Sequence, residues 1–279
     1  ISAARLALPN ARDRPRECAG HHTSSRQRPG RRSMKSSAAM ASPITVEERD
    51  PLALPRLVIS DGSLEALKWL ALVLMTLDHV NKYLLHDAVP AIFDAGRAVM
   101  PLFAIVLAYN LARPGAAQSG AHERVRARLA VAGAIATLPF VALGGLGWGW
   151  WPLNIMATLL VATVAISLFD HGGTPQRIAA WLLLIVGGLF VEFWWPAPAV
   201  LMAAWCYSRR PTWQALLLGT VGLASLQLVN HNAWALAAVP LVVLASRIEF
   251  KVPKTRWVFY AYYPAHLAVI WLVRAAAVH

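Results

Sequence analysis

The chain has 279 residues, 57% of them hydrophobic and only 14% charged, with a mean hydropathy of +0.48. A soluble domain averages about 45–50% apolar and about 25% charged residues, so this chain lacks the polar groups to cover a globular surface. Its net charge of +12 would fit a nucleic-acid binder, but half of the excess sits in residues 1–33, where eight arginines face Asp13 and Glu17.

Residues 1–56 read as a basic tail of Arg, Pro, Ser and His with no apolar period, a composition that predicts disorder. No apolar stretch follows its basic residues before Leu64, so it is not a signal peptide. It begins with Ile, and we read part of it as upstream sequence translated in frame, with the start at Met34 or Met40. Cys18 lies in the tail and Cys206 in an apolar segment, which implies no disulfide framework.

Residues 57–279 form a single predicted domain. Apolar runs near the ~20 residues needed to cross a bilayer fall at about 64–85, 91–111, 127–145, 153–169, 178–195, 197–208, 212–230, 233–247 and 257–275. The expected fold is all-α: a polytopic integral membrane helical bundle of about nine transmembrane helices, within a range of eight to ten. Pro196 and Pro198 leave 178–208 open as two helices or one broken hairpin.

Loop charge gives an independent orientation, because short cytoplasmic loops concentrate Lys and Arg. The loops at Arg113–Arg128, Arg177, Arg209–Arg210 and Arg247–Arg256 are basic, whereas those around 86–90, 144–152, 195–198 and 230–232 hold no Lys or Arg. The alternation is strict with nine spans and the N-terminus inside. Trp148, Trp150, Trp151, Trp194 and Trp195 then lie at the outer interface, where indoles are favoured. The domain contains no Walker motif, dinucleotide fingerprint, Cys/His metal pattern or internal repeat, so we expect no metal and no nucleic-acid partner.

Ionisable groups inside apolar spans are costly and are functional candidates by default. The first span holds Asp78, His79 and Lys82, the second Asp94 and Arg97, the fifth Glu192 and the last His266. Asn154 and Thr158 open the fourth. The assigned topology brings all of them to the outer half of the membrane. Plain readings compete: Asp78 with Lys82 at i, i+4, or Asp94 with Arg97 at i, i+3, could be local ion pairs. His266 could be a packing residue, and Asn154 and Thr158 could be interhelical hydrogen-bonding groups. Glu192 has no basic residue within its own helical turn. A group of two histidines, carboxylates and an arginine suits either acid–base chemistry or proton-coupled transport.

Four segments resemble the TraX family of conjugation proteins, the pilin acetylases that include TrbP-type proteins. They are DGSLEALKWLALVLMTLDHVNKYLL at 61–85, AGRAVMPLFAIVLAYNLAR at 95–113, NIMATLLVA at 154–162 and FYAYYPAHLAVIWL at 259–272. They match the family's LK…M-x-x-DH, GR…PLF, Asn-x-x-x-Thr-Leu and Y-P-x-H-L blocks, in the family's order. The pattern departs at Val80-Asn81, where an apolar residue and Gly are expected, and at Val99-Met100.

The resemblance implies a bacterial inner-membrane, multi-pass N-acetyltransferase acting on the N-terminus of a conjugative pilin subunit, with acetyl-CoA as donor. The pilin, the pilus assembly machinery and the lipid bilayer would be its partners. The implied catalytic residues are His79, Asp78 and His266, with Arg97, Asn154, Glu192 and Tyr263 binding substrate. Asp78 or Glu192 would hold the imidazole tautomer of the base, and Arg97 would meet a phosphate or an oxyanion. The basic loop of Arg124, Arg126 and Arg128 could draw the nucleotide of the donor, although loop orientation already accounts for it. A non-enzymatic pilus-assembly factor and a proton-coupled transporter are the alternatives.

Overall fold

A computed structural model describes residues 54–277 apart from Leu146. The tail up to residue 53, with Met34, Met40 and Cys18, lies outside the described residues. Among those described, every regular element is helical: α1 (Asp61–Leu84), α2 (Pro90–Gly96), α3 (Val99–Leu111), α4 (Ala121–Ala142), α5 (Ile155–His171), α6 (Thr174–Gly188), α7 (Pro196–Arg209), α8 (Trp213–Asn230), a 3-10 turn (Trp234–Ala237), α9 (Ala238–Ala245) and α10 (Val258–Ala277). The described residues also hold an isolated β-bridge between Leu153 and Val191.

Each apolar run therefore becomes a helix or a helix pair, and 178–208 becomes two helices, α6 and α7. The expected count of nine spans is not reached by length and composition. Among the described residues, two helices are long and apolar enough to cross a membrane, Pro90–Leu111 and Ala121–Ala142. Ile155–His171 and Trp234–Ala245 are apolar but shorter.

Local chemistry explains several boundaries. Ser60 caps α1 by accepting from the Ser63 amide, one of the donors a helix start leaves unpaired. The second apolar run is interrupted at Arg97–Ala98, where the Arg97 and Ala98 amides bond three residues back, to Asp94 and Ala95. Pro101 supplies the cause. Four residues after Arg97, it has no N–H to give to the Arg97 carbonyl, and its ring crowds that group.

Packing joins α7 to α8 and α3, α10 to α4, and α5 to α6 and α4, while α1 touches α2, α3 and α10. The main apolar core runs from Met75 and Met100 through Phe140, Ile166 and Leu201 to Leu267. A smaller one, around Leu64, Leu102 and Val242, lies under the start of α1.

Polar contacts sort the loops onto two ends of the bundle. At one end Asp61 meets Arg113 and Lys254, and Asp170 meets Arg209. At the other, Asn81 bonds Val89, Asn232 bonds Asp94, and the Trp151 indole donates to Leu189. The basic loops and the tryptophan-bearing loops thus occupy opposite ends, as the charge alternation requires.

Candidate functional site

Two histidines from distant segments, one on α1 and one on α10, meet beside the central cavity. His79 Nδ1 lies 2.6 Å from His266 Nε2, with the two rings nearly parallel at 5°. His266 Nδ1 is 3.0 Å from the Tyr262 carbonyl, which can only accept, so Nδ1 carries the proton. A neutral imidazole has one N–H, so His266 Nε2 is an acceptor and His79 Nδ1 donates to it. His79 Nε2 is left with its lone pair, on a ring that lines the central cavity. Tyr262 stacks on His266 at 5.2 Å, and its hydroxyl pairs with Thr76 at 2.9 Å, so the second histidine is held from both sides.

Sequence reasoning expected a carboxylate, Asp78 or Glu192, to hold the base. The structure puts a second imidazole there instead. Asp78 is committed elsewhere: Arg97 Nη2 donates to both of its oxygens at 2.7 and 2.8 Å, and Arg97 Nε donates to the Phe93 carbonyl. The interruption of the second helix places Arg97 there. Gly96 lets the backbone close on Asp78, because a Cβ at Gly96 would lie 2.5 Å from the carboxylate.

Neither local ion pair forms. Asp78 takes Arg97 rather than Lys82, and Asp94 accepts from Asn232 rather than from Arg97. Lys82 makes no ion pair among the described residues and faces the cavity one turn beyond His79. The sequence offered it only as a partner for Asp78.

Glu192 reaches the same cavity from the loop between α6 and α7. Its backbone is pinned: its amide donates to Leu153 O at 2.9 Å, and the Thr158 hydroxyl donates to its carbonyl at 2.9 Å. The next two residues, Phe193 and Trp194, sit at φ of 63° and 45°. That left-handed region costs a bulky residue of the order of 1–2 kcal/mol, and such strain persists only where neighbours enforce it. Tyr263 is buried and also lines the cavity.

Asn154 is placed differently. Its side chain caps α5 by accepting from Met156 N, and it donates to Gly133 O and Thr137 Oγ1 on α4. With both polar atoms in use, and outside the cavity lining, it locks two helices together.

The cavity encloses about 780 Å³, within the usual range of small-molecule sites. One face of α1 lines it from Glu65 through Leu72 and His79 to Tyr83. It receives Asp78, His79, Lys82, Arg97, Glu192 and Tyr263, while His266 reaches it through His79. Phe259 and Tyr260 were not legible as lining residues, because aromatic positions of a helix carry no sign of the face they turn inward.

Fold and site together define, over the described residues, an all-helical bundle built around an ionisable cavity with a histidine pair at its wall. The TraX protein family model matches residues 63–274. Protein TraX of Escherichia coli is 30% identical over 230 residues, covering 77% of this chain and 88% of that relative. Protein TraX of Escherichia coli strain K12 is 30% identical over 226 residues, with the same shares covered. The chain belongs to the TraX family. No solved structure matches it.

Proposed function

We propose that the chain is an inner-membrane, multi-pass N-acetyltransferase that acetylates the N-terminus of a conjugative pilin subunit, with acetyl-CoA as donor, during pilus biogenesis. The observation that carries this reading is the hydrogen-bonded order from Tyr262 O through His266 to His79. It leaves an unprotonated nitrogen on the cavity wall, which is what a general base requires.

The lipid environment is supported by the outward faces. Leu138, Leu217, Leu228 and Leu272 are each more than half exposed, and apolar exteriors of this extent are uncommon on soluble monomers.

In the reaction, His79 Nε2 takes a proton from the acceptor's α-ammonium, and the freed amine attacks the thioester carbonyl carbon. A C–N bond forms, the C–S bond breaks, the attacking nitrogen gives its second proton to the departing sulfur, which leaves as the thiol, and the first proton stays on His79 until it is released to solvent. His266 accepts the His79 Nδ1–H throughout and stabilises the transient imidazolium. Glu192 receives the α-ammonium before the transfer. Lys82, free of an ion pair, offsets charge on the tetrahedral oxyanion, while Arg97 is engaged in holding Asp78 against the second helix.

The test is transfer of labelled acetyl from acetyl-CoA to a peptide of the pilin N-terminus by the purified full chain in liposomes. The reading expects label on the α-amine and loss of that label in His79→Asn. A wild-type chain that leaves the peptide unlabelled contradicts it. Because the cavity follows α1 for most of its length, proton-coupled transport is the second reading. Substrate uptake by the same proteoliposomes without any acyl product would favour it, and a non-enzymatic assembly factor would show neither activity.

A further inference from the structure

Three asparagines are buried among the described residues: Asn81, Asn154 and Asn230. Asn81 and Asn154 each use both polar atoms of their carboxamides. Asn230, 3% exposed, uses neither. Its Nδ2 and Oδ1 are closed off from solvent and make no hydrogen bond to the described residues. Burying an amide in that state costs free energy that a partner for either atom would recover. Buried polar groups left unpaired are exceptions in folded proteins, and a ligand site is one of their causes.

Asn230 is the last residue of α8 and stands with Val229 in the wall of the central cavity. The helix stops there because His231 turns left-handed at φ 57°, its amide closing on Gln227 O at 2.9 Å. Two residues on, Asn232 donates to Asp94 and accepts from the Trp234 amide, so the chain beyond Asn230 is tied down. This is the tryptophan-bearing end, where Trp151, Phe193 and Trp194 line the cavity, as does Glu192. Asn81 shows what a buried carboxamide does when it has a partner. It donates to the Val89 carbonyl at 3.1 Å and accepts from the Val89 amide at 3.0 Å, taking one residue at two points. Val89 is extended, with φ −115° and ψ 91°, and in extended chain the N–H and C=O of one residue point to the same side.

We infer that Asn230 reads the main chain of an extended peptide at the tryptophan-bearing end of the cavity, its Nδ2 donating to one residue's carbonyl and its Oδ1 accepting that residue's N–H. The carboxamide turns about its two side-chain bonds to make the pair. That the peptide is the acceptor rests on the acetylase reading; the unpaired carboxamide in the cavity wall does not. A main-chain contact is blind to side chains, so Asn230 selects an extended backbone and not a sequence. Secondary amides also occur in the pantetheine arm of acetyl-CoA, and the experiment below separates the two sources.

Calorimetry of the full chain in phosphatidylcholine nanodiscs, with a peptide of the pilin N-terminus and no acetyl-CoA, tests the site apart from acyl transfer. Asn230→Leu, close in shape and unable to pair, is expected to bind the peptide about tenfold more weakly than wild type. Coenzyme A, measured the same way, should bind both chains equally. Because the carboxamide is unpaired in the free chain, the ligand-free Asn230→Leu chain should melt no lower than wild type. A set of peptides, each with one amide replaced by an ester, needs no variant. One position should lose about fivefold in affinity for wild type and lose nothing further in Asn230→Leu. Weaker coenzyme A binding with unchanged peptide binding assigns Asn230 to the donor arm and overturns the inference. So do an unbound peptide, equal peptide affinity in the two chains, an ester set with no affected position, or a ligand-free variant that melts below wild type. Peptide bound in this way but never labelled contradicts the acetylase reading and leaves the peptide site standing. Label transferred by Asn230→Leu at the wild-type peptide KM does the reverse.

Discussion

At the scale of single residues, direction within the histidine pair decides which ring does the work. On the proposed reading, His266 is a positioning residue and His79 the base. His79→Asn is expected to lower acyl transfer by about 10²- to 10⁴-fold, the usual contribution of a general base. His266→Gln retains an acceptor for the His79 N–H, and His266→Leu does not. The Gln variant should therefore keep more activity than the Leu variant, and the Leu variant should show a displaced pH–rate profile. Equal rates and profiles in the two variants would reduce His266 to a packing residue.

The Asp61 clamp belongs to the same scale and lies at the basic end of the bundle. Hydrogen bonds from Lys254, and then from Arg113, hold the Asp61 carboxyl below the ordinary carboxylate range. A lowered folded-state pKa means that the clamp contributes fully above the unfolded value of about 3.9 and is lost as pH falls through the lower folded value. Hydrogen exchange in 248–257 should thus be constant from neutral pH to about 5 and accelerate only under stronger acid. Asp61→Asn should show the faster exchange already at neutral pH.

The identities of the ionisable residues were legible in the sequence, because charge inside apolar spans stands out. Their partners were not. Helical spacing pointed Asp78 at Lys82 and Asp94 at Arg97, but spacing describes an isolated helix. The actual choices, Arg97 for Asp78 and Asn232 for Asp94, depend on how helices cross. The second imidazole in the place of a carboxylate is of the same kind, since 187 positions separate its two members.

At the scale of elements, two substitutions separate structural from chemical roles. Asn154→Ala removes a helix cap, worth about 0.5–2 kcal/mol, and leaves the Gly133 carbonyl and Thr137 without their donor. We expect a lower thermal midpoint in detergent, with unchanged KM for both substrates per folded molecule. A raised KM at constant stability would instead return Asn154 to the substrate site. Gly96→Ala drives a methyl into the Asp78 carboxylate. Overpacking of this kind costs about 1–3 kcal/mol, and it should also disturb the Arg97 contact. A Gly96→Ala chain with wild-type midpoint and wild-type rate would show that the close approach of α2 to α1 is dispensable.

Most helix bounds were readable to within about three residues, but α4 begins at Ala121, well before the expected 127, and α6 ends at Gly188, well before the expected 195. The second run reads as a single apolar span, yet it is interrupted at Arg97–Ala98 by a proline four residues further on. That interruption is also what presents Arg97 to Asp78. A hydropathy window averages over it, which is why the break and its consequence went unseen.

At the scale of the whole molecule, the account joins three observations. The basic loops gather at one end, the tryptophan-bearing loops at the other, and one cavity follows α1 between them. That arrangement suits a transfer whose donor and acceptor arrive from opposite faces of a bilayer. Alternation of loop charge made the two ends legible beforehand; the cavity was not legible, because it is lined largely by apolar side chains that any helix pair could have buried. The most direct test of the central claim is the intact mass of pilin from conjugating cells that carry wild-type chain, His79→Asn chain or no chain. The account predicts one acetyl group on the pilin N-terminus with wild type and none in the other two. Acetylated pilin in all three, or bare pilin with wild type, would contradict it.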